Sequence, residues 1–121
     1  MVHNGLRTHI GAHGETPLGR AYHAELFFTA SGGLTPYETL RAATLDASLT
    51  LGLHNSLGSL SPGKLADLVV FEQGANVLER IEDSLKIRYV VRGGRVWEAE
   101  TMVEEWPVKG RKTVLPPINA D

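Results

Sequence analysis

A chain of 121 residues with 42% hydrophobic and 21% charged side chains has the composition of a folded globular protein. Its formal net charge of -2 leaves no basic footprint for nucleic acid. There is no apolar run long enough to span a bilayer and no signal-peptide core at the start, so the expected location is the cytoplasm. The absence of cysteine excludes disulfides and thiolate zinc sites, so any metal must be held by His, Asp or Glu.

In chain order, Val2 to Gly14 is short, rich in histidine and punctuated by glycine. Alternation at Leu6, Thr8, Ile10 and Ala12 predicts a strand running into a loop. Arg20 to Ser31 places Tyr22, Leu26 and Ala30 at a four-residue step, with Phe27 beside them, which predicts a helix ended by Gly32-Gly33. Thr35-Pro36-Tyr37-Glu38 is a helix start: Thr35 caps, Pro36 suits the first position because its missing N–H is not needed there, and Glu38 reaches back to complete a capping box. Leu40, Ala43, Ala47 and Leu51 line one face of a single helix from about Pro36 to Leu51, with Gly52 at its end.

From His54 the period changes. Pro62-Gly63 marks a turn, and Leu65 to Phe71 reads as a short buried strand closed by Gly74. Asn76 to Leu85 is ambiguous, with room for a helical turn. Ile87, Tyr89 and Val91 alternate with charged residues up to Gly93-Gly94, and Val96 resumes the pattern, predicting a β-hairpin with a primed turn. The chain from Trp106, with Pro107, Pro116 and Pro117, is expected to be an irregular extended tail. One strand and two helices without a sheet to cover them suggest a piece of a larger architecture.

The stretch Gly58-Ser59-Leu60-Ser61-Pro62-Gly63-Lys64-Leu65-Ala66-Asp67-Leu68-Val69-Val70-Phe71 closely resembles the G-x-L-x-x-G-K-x-A-D-L-V-V segment of the metal-dependent amidohydrolase superfamily. Leu34 to Thr44 resembles the T-P-x-E-A-L-x-A-A-T helix of that family. Val90-Val91-Arg92-Gly93-Gly94-Arg95-Val96 resembles its V-x-x-G-x-x-V hairpin. The order and spacing agree over roughly Ile10 to Met102, with imidazolonepropionase-like and prolidase-like amidohydrolases as the nearest types.

The resemblance implies an α/β fragment, the last strand and helices of a (β/α)8 barrel followed by strands of a small composite β-sandwich. The expected division is 1–53 for the barrel portion, 54–105 for the sandwich portion and 106–121 for the tail. The implied protein is the C-terminal part of a hydrolase that uses zinc or a similar divalent metal on C–N bonds other than peptide bonds of small-molecule amides. The opening strand would be the eighth of the barrel, its end facing the active site. There the family places a metal-binding, proton-shuttling aspartate, whereas Gly11-Ala12-His13-Gly14-Glu15 presents His13. His13 is therefore the candidate catalytic and metal-binding residue, and Glu15 and His23 are candidates to orient it. The His-x-His pair and other histidines of earlier strands are not in the chain, so the isolated chain is expected to hold no complete metal site and to be inactive.

Plainer roles compete for each residue. His13 also fits a hydrogen-bonded loop position, and His23 a solvated or hydrogen-bonded helix position. His9 and His13 lie roughly 13 Å apart on an extended strand, too far to share an ion. Asp67 is expected to accept backbone N–H bonds, Lys64 to be a solvated turn residue, and Trp97 and Trp106 to pack. Gly11 to Gly14 lacks the lysine of a phosphate-binding loop. An alternative class is a non-catalytic α/β association module, and under either reading the apolar helix faces predict a homo-oligomer.

Overall fold

The computed structural model describes Gly5, residues 7–12 and residues 19–112. Helix α1 (Arg20–Ser31) ends on Gly32, whose amide bonds the Phe28 carbonyl at 2.9 Å. Helix α2 (Pro36–Ala43) begins with the expected capping box. The Glu38 amide donates to Thr35 Oγ1 at 3.2 Å, and the Thr35 amide donates to Glu38 Oε2 at 2.8 Å.

The helix expected to continue to Leu51 breaks at Thr44, and α3 (Leu45–Thr50) follows as a separate element. Thr44 leaves helical geometry at φ -128° and ψ -88°. Its hydroxyl donates to the Leu40 carbonyl at 2.7 Å, a local bond that competes with regular helix continuation. The break lets Leu45 and Ser48 lie against Gly58, where an added Cβ would overlap the Ser48 hydroxyl. At the far end of α3, Leu53 N bonds Ser48 O at 2.8 Å and Gly52 N bonds Leu49 O at 3.2 Å, a Schellman closure around the predicted glycine.

The second half is an antiparallel meander, β1 (Leu68–Phe71), β2 (Ile87–Arg92), β3 (Arg95–Glu98), β4 (Val103–Trp106) and β5 (Arg111–Lys112), in sheet order β1-β2-β3-β4-β5. A 3₁₀ turn (Ile81–Leu85) occupies the stretch that was ambiguous in sequence. The β2–β3 hairpin pairs Arg92 with Arg95 and turns on Gly93 and Gly94, at φ 56° and 78°, the positive values a primed turn demands.

Further sequence expectations change. Residues 7–12 adopt no strand, because a barrel strand needs neighbours on both edges and the described residues supply neither. Strand β1 starts at Leu68 rather than Leu65, and Val69 and Val70 are exposed because no second layer covers them among the described residues. The expected irregular tail contains most of a hairpin instead: Trp106 belongs to β4, and β5 returns at Arg111 after the turn at Gly110. Trp106 is exposed rather than packed, whereas Trp97 is partly covered and lies under the Arg95 guanidinium at 5.1 Å.

Leu26 of α1, Ala42 of α2 and Ile81 of the 3₁₀ turn are the apolar side chains fully shielded among the described residues. The core therefore sits where α1 meets α2 and the 3₁₀ turn. In the sheet the most buried group is polar. Glu104 accepts from Arg95 Nη2 at 2.7 Å and Nε at 3.1 Å, and from Arg111 Nε at 2.6 Å and Nη2 at 3.1 Å. These hydrogen bonds, from Arg95 and then Arg111, hold its carboxyl at about 2, below the usual carboxylate range. Asp83 is held low in the same way by Lys86, the Asn76 amide and Arg80.

Candidate functional site

The candidate residues lie at the chain's opening and on α1. His13 and Glu15 fall outside the described residues, as does His3. Residues 7–12, which lead toward them, run beside α2 and α3. His9 Nε2 and Thr50 Oγ1 are 2.9 Å apart, and Arg7 and Thr8 help line a polar hollow of about 260 Å³ with Glu38, Arg41 and Asp46. Within that hollow Arg41 is neutralised by Asp46, Nε to Oδ1 at 3.1 Å.

His23 projects from α1 toward the 3₁₀ turn, where its Nδ1 lies 3.0 Å from Ser84 Oγ, and the Tyr22 ring meets it edge-on at 6.4 Å. Burial lowers the pKa of His23, since desolvation disfavours the charged ring. A neutral, hydrogen-bonded histidine tying a helix to a turn is one of the two roles the sequence allowed. The other histidine of note was not singled out beforehand. His54 Nδ1 is buried with no hydrogen-bond partner among the described residues. A lone His after Leu53 carries no pattern that would have announced this.

The motif residues behave as fasteners. Asp67 Oδ1 accepts from the Gly93 amide at 2.6 Å, the backbone-binding role expected for it, and so ties the start of β1 to the β2–β3 turn. Lys64 is not merely solvated: its Nζ donates to Ser59 Oγ at 2.7 Å and to the Leu57 carbonyl at 3.2 Å, closing the loop before β1. The G-K-x-A-D spacing thus places a cation for the loop and a carboxylate for the hairpin turn, three residues apart.

Among the described residues no three His, Asp or Glu side chains converge to hold an ion. His9 is engaged by Thr50 of α3 and His23 by Ser84 of the 3₁₀ turn. The described part does not by itself fit a divalent metal, and no catalytic step can be drawn through one here. Nor is any helix among these residues long and apolar enough to cross a membrane.

The match to known proteins agrees with this geometry. Residues 5–97 match the sequence model of the amidohydrolase family, and the chain belongs to that family. It is 36% identical over 73 residues to an imidazolonepropionase of Geobacillus kaustophilus, an alignment covering 53% of this chain and 15% of that protein. With an imidazolonepropionase of Pseudomonas aeruginosa it shares 56% identity over 39 residues, covering 32% and 10% of the two chains. A candidate prolidase from Bifidobacterium longum superimposes with TM-score 0.66 at 28% identity, covering 94% of this chain and 26% of that one. A Xaa-Pro dipeptidase with methionine in its active site superimposes with TM-score 0.60 at 26% identity, over 64% and 19%. The chain therefore spans a small part, 15% in the first of these alignments, of the relatives it matches.

Proposed function

We propose that this chain is the C-terminal part of a metal-dependent hydrolase of small-molecule C–N bonds, and that alone it does not catalyse. The supporting observation is the family match over residues 5–97 in a chain that aligns with only 15% of a full-length relative. In this reading residues 7–12 are the eighth strand of a (β/α)8 barrel, unpaired because its neighbours lie elsewhere, and the meander is one portion of a composite β-sandwich. His13 enters the active site from that strand's end, with Glu15 orienting it. His23 serves the fold, because its Nδ1 is committed to Ser84. Zinc or a similar ion, held mainly by histidines of the remaining barrel, would supply an activated water and a polarised carbonyl. The relatives' names span a ring amide substrate and a dipeptide ending in proline, so the substrate class we propose is a C–N bond, widened from non-peptide amides to include the bond to a proline nitrogen. The compartment proposed is the cytoplasm.

The test is an assay of the purified chain, supplemented with zinc, on N-acyl substrates, cyclic amides and Xaa-Pro dipeptides. We expect no turnover and less than one zinc per chain. Turnover abolished by His13→Ala would overturn the inactivity.

A second reading, an association module, is favoured by the exposure of Phe28, Leu51 and Leu60 at 70%, 71% and 77%. The two readings share one consequence: the isolated chain forms a homo-oligomer by covering these side chains with a second copy, which sedimentation would reveal.

A further inference from the structure

The two faces of the sheet differ in charge. Cross-strand partners share a face, and successive residues of a strand alternate between faces. One row of partners runs Leu68, Val91, Val96 and Trp106, the register shift between Val96 and Trp97 having set Trp106 opposite Val96. The next row lies on the other face and runs Val69, Val90, Trp97, Glu104 and Arg111. Arg92 and Arg95, which flank the Gly93-Gly94 turn, are direct partners on that same face. The first face is apolar along its row, whereas the second gathers three arginines on β2, β3 and β5.

Two arginines placed directly opposite each other repel, and such a like-charge pair is unfavourable in a hairpin. Nothing among the described residues offsets this for Arg92, whose guanidinium is exposed and makes no ion pair or hydrogen bond with them. Asp67, at the same turn, is drawn onto the Gly93 amide at 2.6 Å rather than onto Arg92.

Arg95 and Arg111 are held in place without being used up. The enclosed Glu104 carboxylate accepts from Nε and Nη2 of both. A guanidinium carries five N–H donors, so three on each remain after Glu104 is satisfied. Both side chains are about half exposed, at 46% and 49%, which leaves those donors open to solvent. The Trp97 ring, 5.1 Å from the Arg95 guanidinium carbon, further fixes that group. Guanidiniums already ordered by the fold lose little freedom in gripping a ligand.

Arginine forks match oxyanions in a planar, two-point geometry. A phosphate monoester presents three acceptor oxygens and roughly two negative charges near neutral pH, enough to bridge guanidiniums on different strands. It would also remove the repulsion between Arg92 and Arg95. We propose that Arg92, Arg95 and Arg111 form a binding site for a phosphate monoester on this face of the sheet, with Glu104 positioning Arg95 and Arg111. A small phosphorylated metabolite and a phosphorylated side chain carry the same group and are the two sources of it.

The full 121-residue chain is titrated at fixed ionic strength with glycerol 3-phosphate and, separately, with a short uncharged peptide carrying one phosphoserine. Binding is read by calorimetry and by the Nε–Hε signals of the arginines in nitrogen-15 spectra. We expect saturable 1:1 binding that moves the signals of Arg92, Arg95 and Arg111. Arg92→Gln, which breaks no bond to a described side chain, should weaken it about tenfold through loss of a charge-assisted contact. Arg111→Lys keeps the charge without the fork and should also weaken it, with Arg92→Lys in its place if circular dichroism shows that the sheet is lost. Arg20→Gln, an exposed charge removed from α1, should bind as the parent does. Tighter binding of the metabolite or of the peptide names the source, and either supports the site. Absence of saturable binding overturns the proposal, as does binding indifferent to Arg92→Gln or weakened equally by Arg20→Gln. Acetate binding as tightly as the phosphate compounds shows a general anion patch and overturns it too.

Discussion

The helical half, residues 20–53, and the meander, residues 68–112, solve the problem of folding with few buried apolar groups in opposite ways. The helices hold two of the three shielded apolar side chains, Leu26 and Ala42, and leave Phe28, Leu51 and Leu53 in water. The meander instead fastens itself by neighbouring hairpins and by charged groups, with Glu104 fully enclosed between two arginines. Hydrogen bonds between adjacent strands need no distant partner, whereas an amphipathic helix is stabilised chiefly by whatever its apolar face packs on. The part built of local hairpins draws its bonds from adjacent strands, and the part built of helices depends on the junction at Leu26 and Ala42.

Both tryptophans, Trp97 and Trp106, lie in the meander, so their fluorescence reports on it while the helical signal in circular dichroism reports on the other half. The largest effect is expected from Ile81→Ala, which empties the junction where the 3₁₀ turn meets α1. A loss of about 2–5 kcal/mol is usual for such a truncation, and it should separate the two signals in a urea melt. Coincident, undisplaced transitions would show that the halves are not joined through Ile81.

A smaller loss is expected for Gly58→Ala. Gly58 has φ +86°, and the backbone strain alone costs roughly 1–2 kcal/mol, with displacement of Ser48 added to it. Because the contact is with α3, the helical signal should melt first. Thr35→Ala comes next, at ~1 kcal/mol for a lost N-cap, again confined to the helical signal. A shift of the tryptophan transition of equal size would break the contrast between the halves.

These same positions show what was legible in the sequence. The capping box at Thr35 and Glu38, the Gly93-Gly94 turn and the ends of α1 were readable because each is decided by a few adjacent residues. The break at Thr44 was not, since the apolar step from Leu40 through Ala47 to Leu51 runs straight across it, and the deciding contact at Gly58 is distant in sequence. Glu104 was equally invisible: its partners, Arg95 and Arg111, lie nine and seven residues away in different strands, and a Glu in an acidic stretch reads as surface. For the site, the family motif led to Asp67 and to a correct bonding role, while His13 and Glu15 belong to a segment whose geometry lies outside the described residues.

The smallest predicted effect concerns the seam between the two halves. His23 on α1 meets Ser84 of the 3₁₀ turn, and burial depresses its pKa in the folded chain below the ordinary histidine value. The unfolded chain, with its ring in water, keeps the ordinary value of about 6.5. As pH falls through that value the unfolded state takes up a proton that the folded state resists, so stability is full above it and declines toward the lower folded pKa. Glu104 contributes in the same direction further down, its stabilisation being present above the ordinary carboxylate value and lost as pH approaches about 2. The two are distinguishable by substitution. His23→Gln should flatten the stability profile between pH 7 and 5 while leaving the acid limb unchanged, and Glu104→Gln should do the reverse at a cost in overall stability. Because the His23 ring is only partly covered, solvent screens its share and the change should be modest. A profile that keeps its slope between pH 7 and 5 after His23→Gln would mean that the ring does not sense the joining of the two halves.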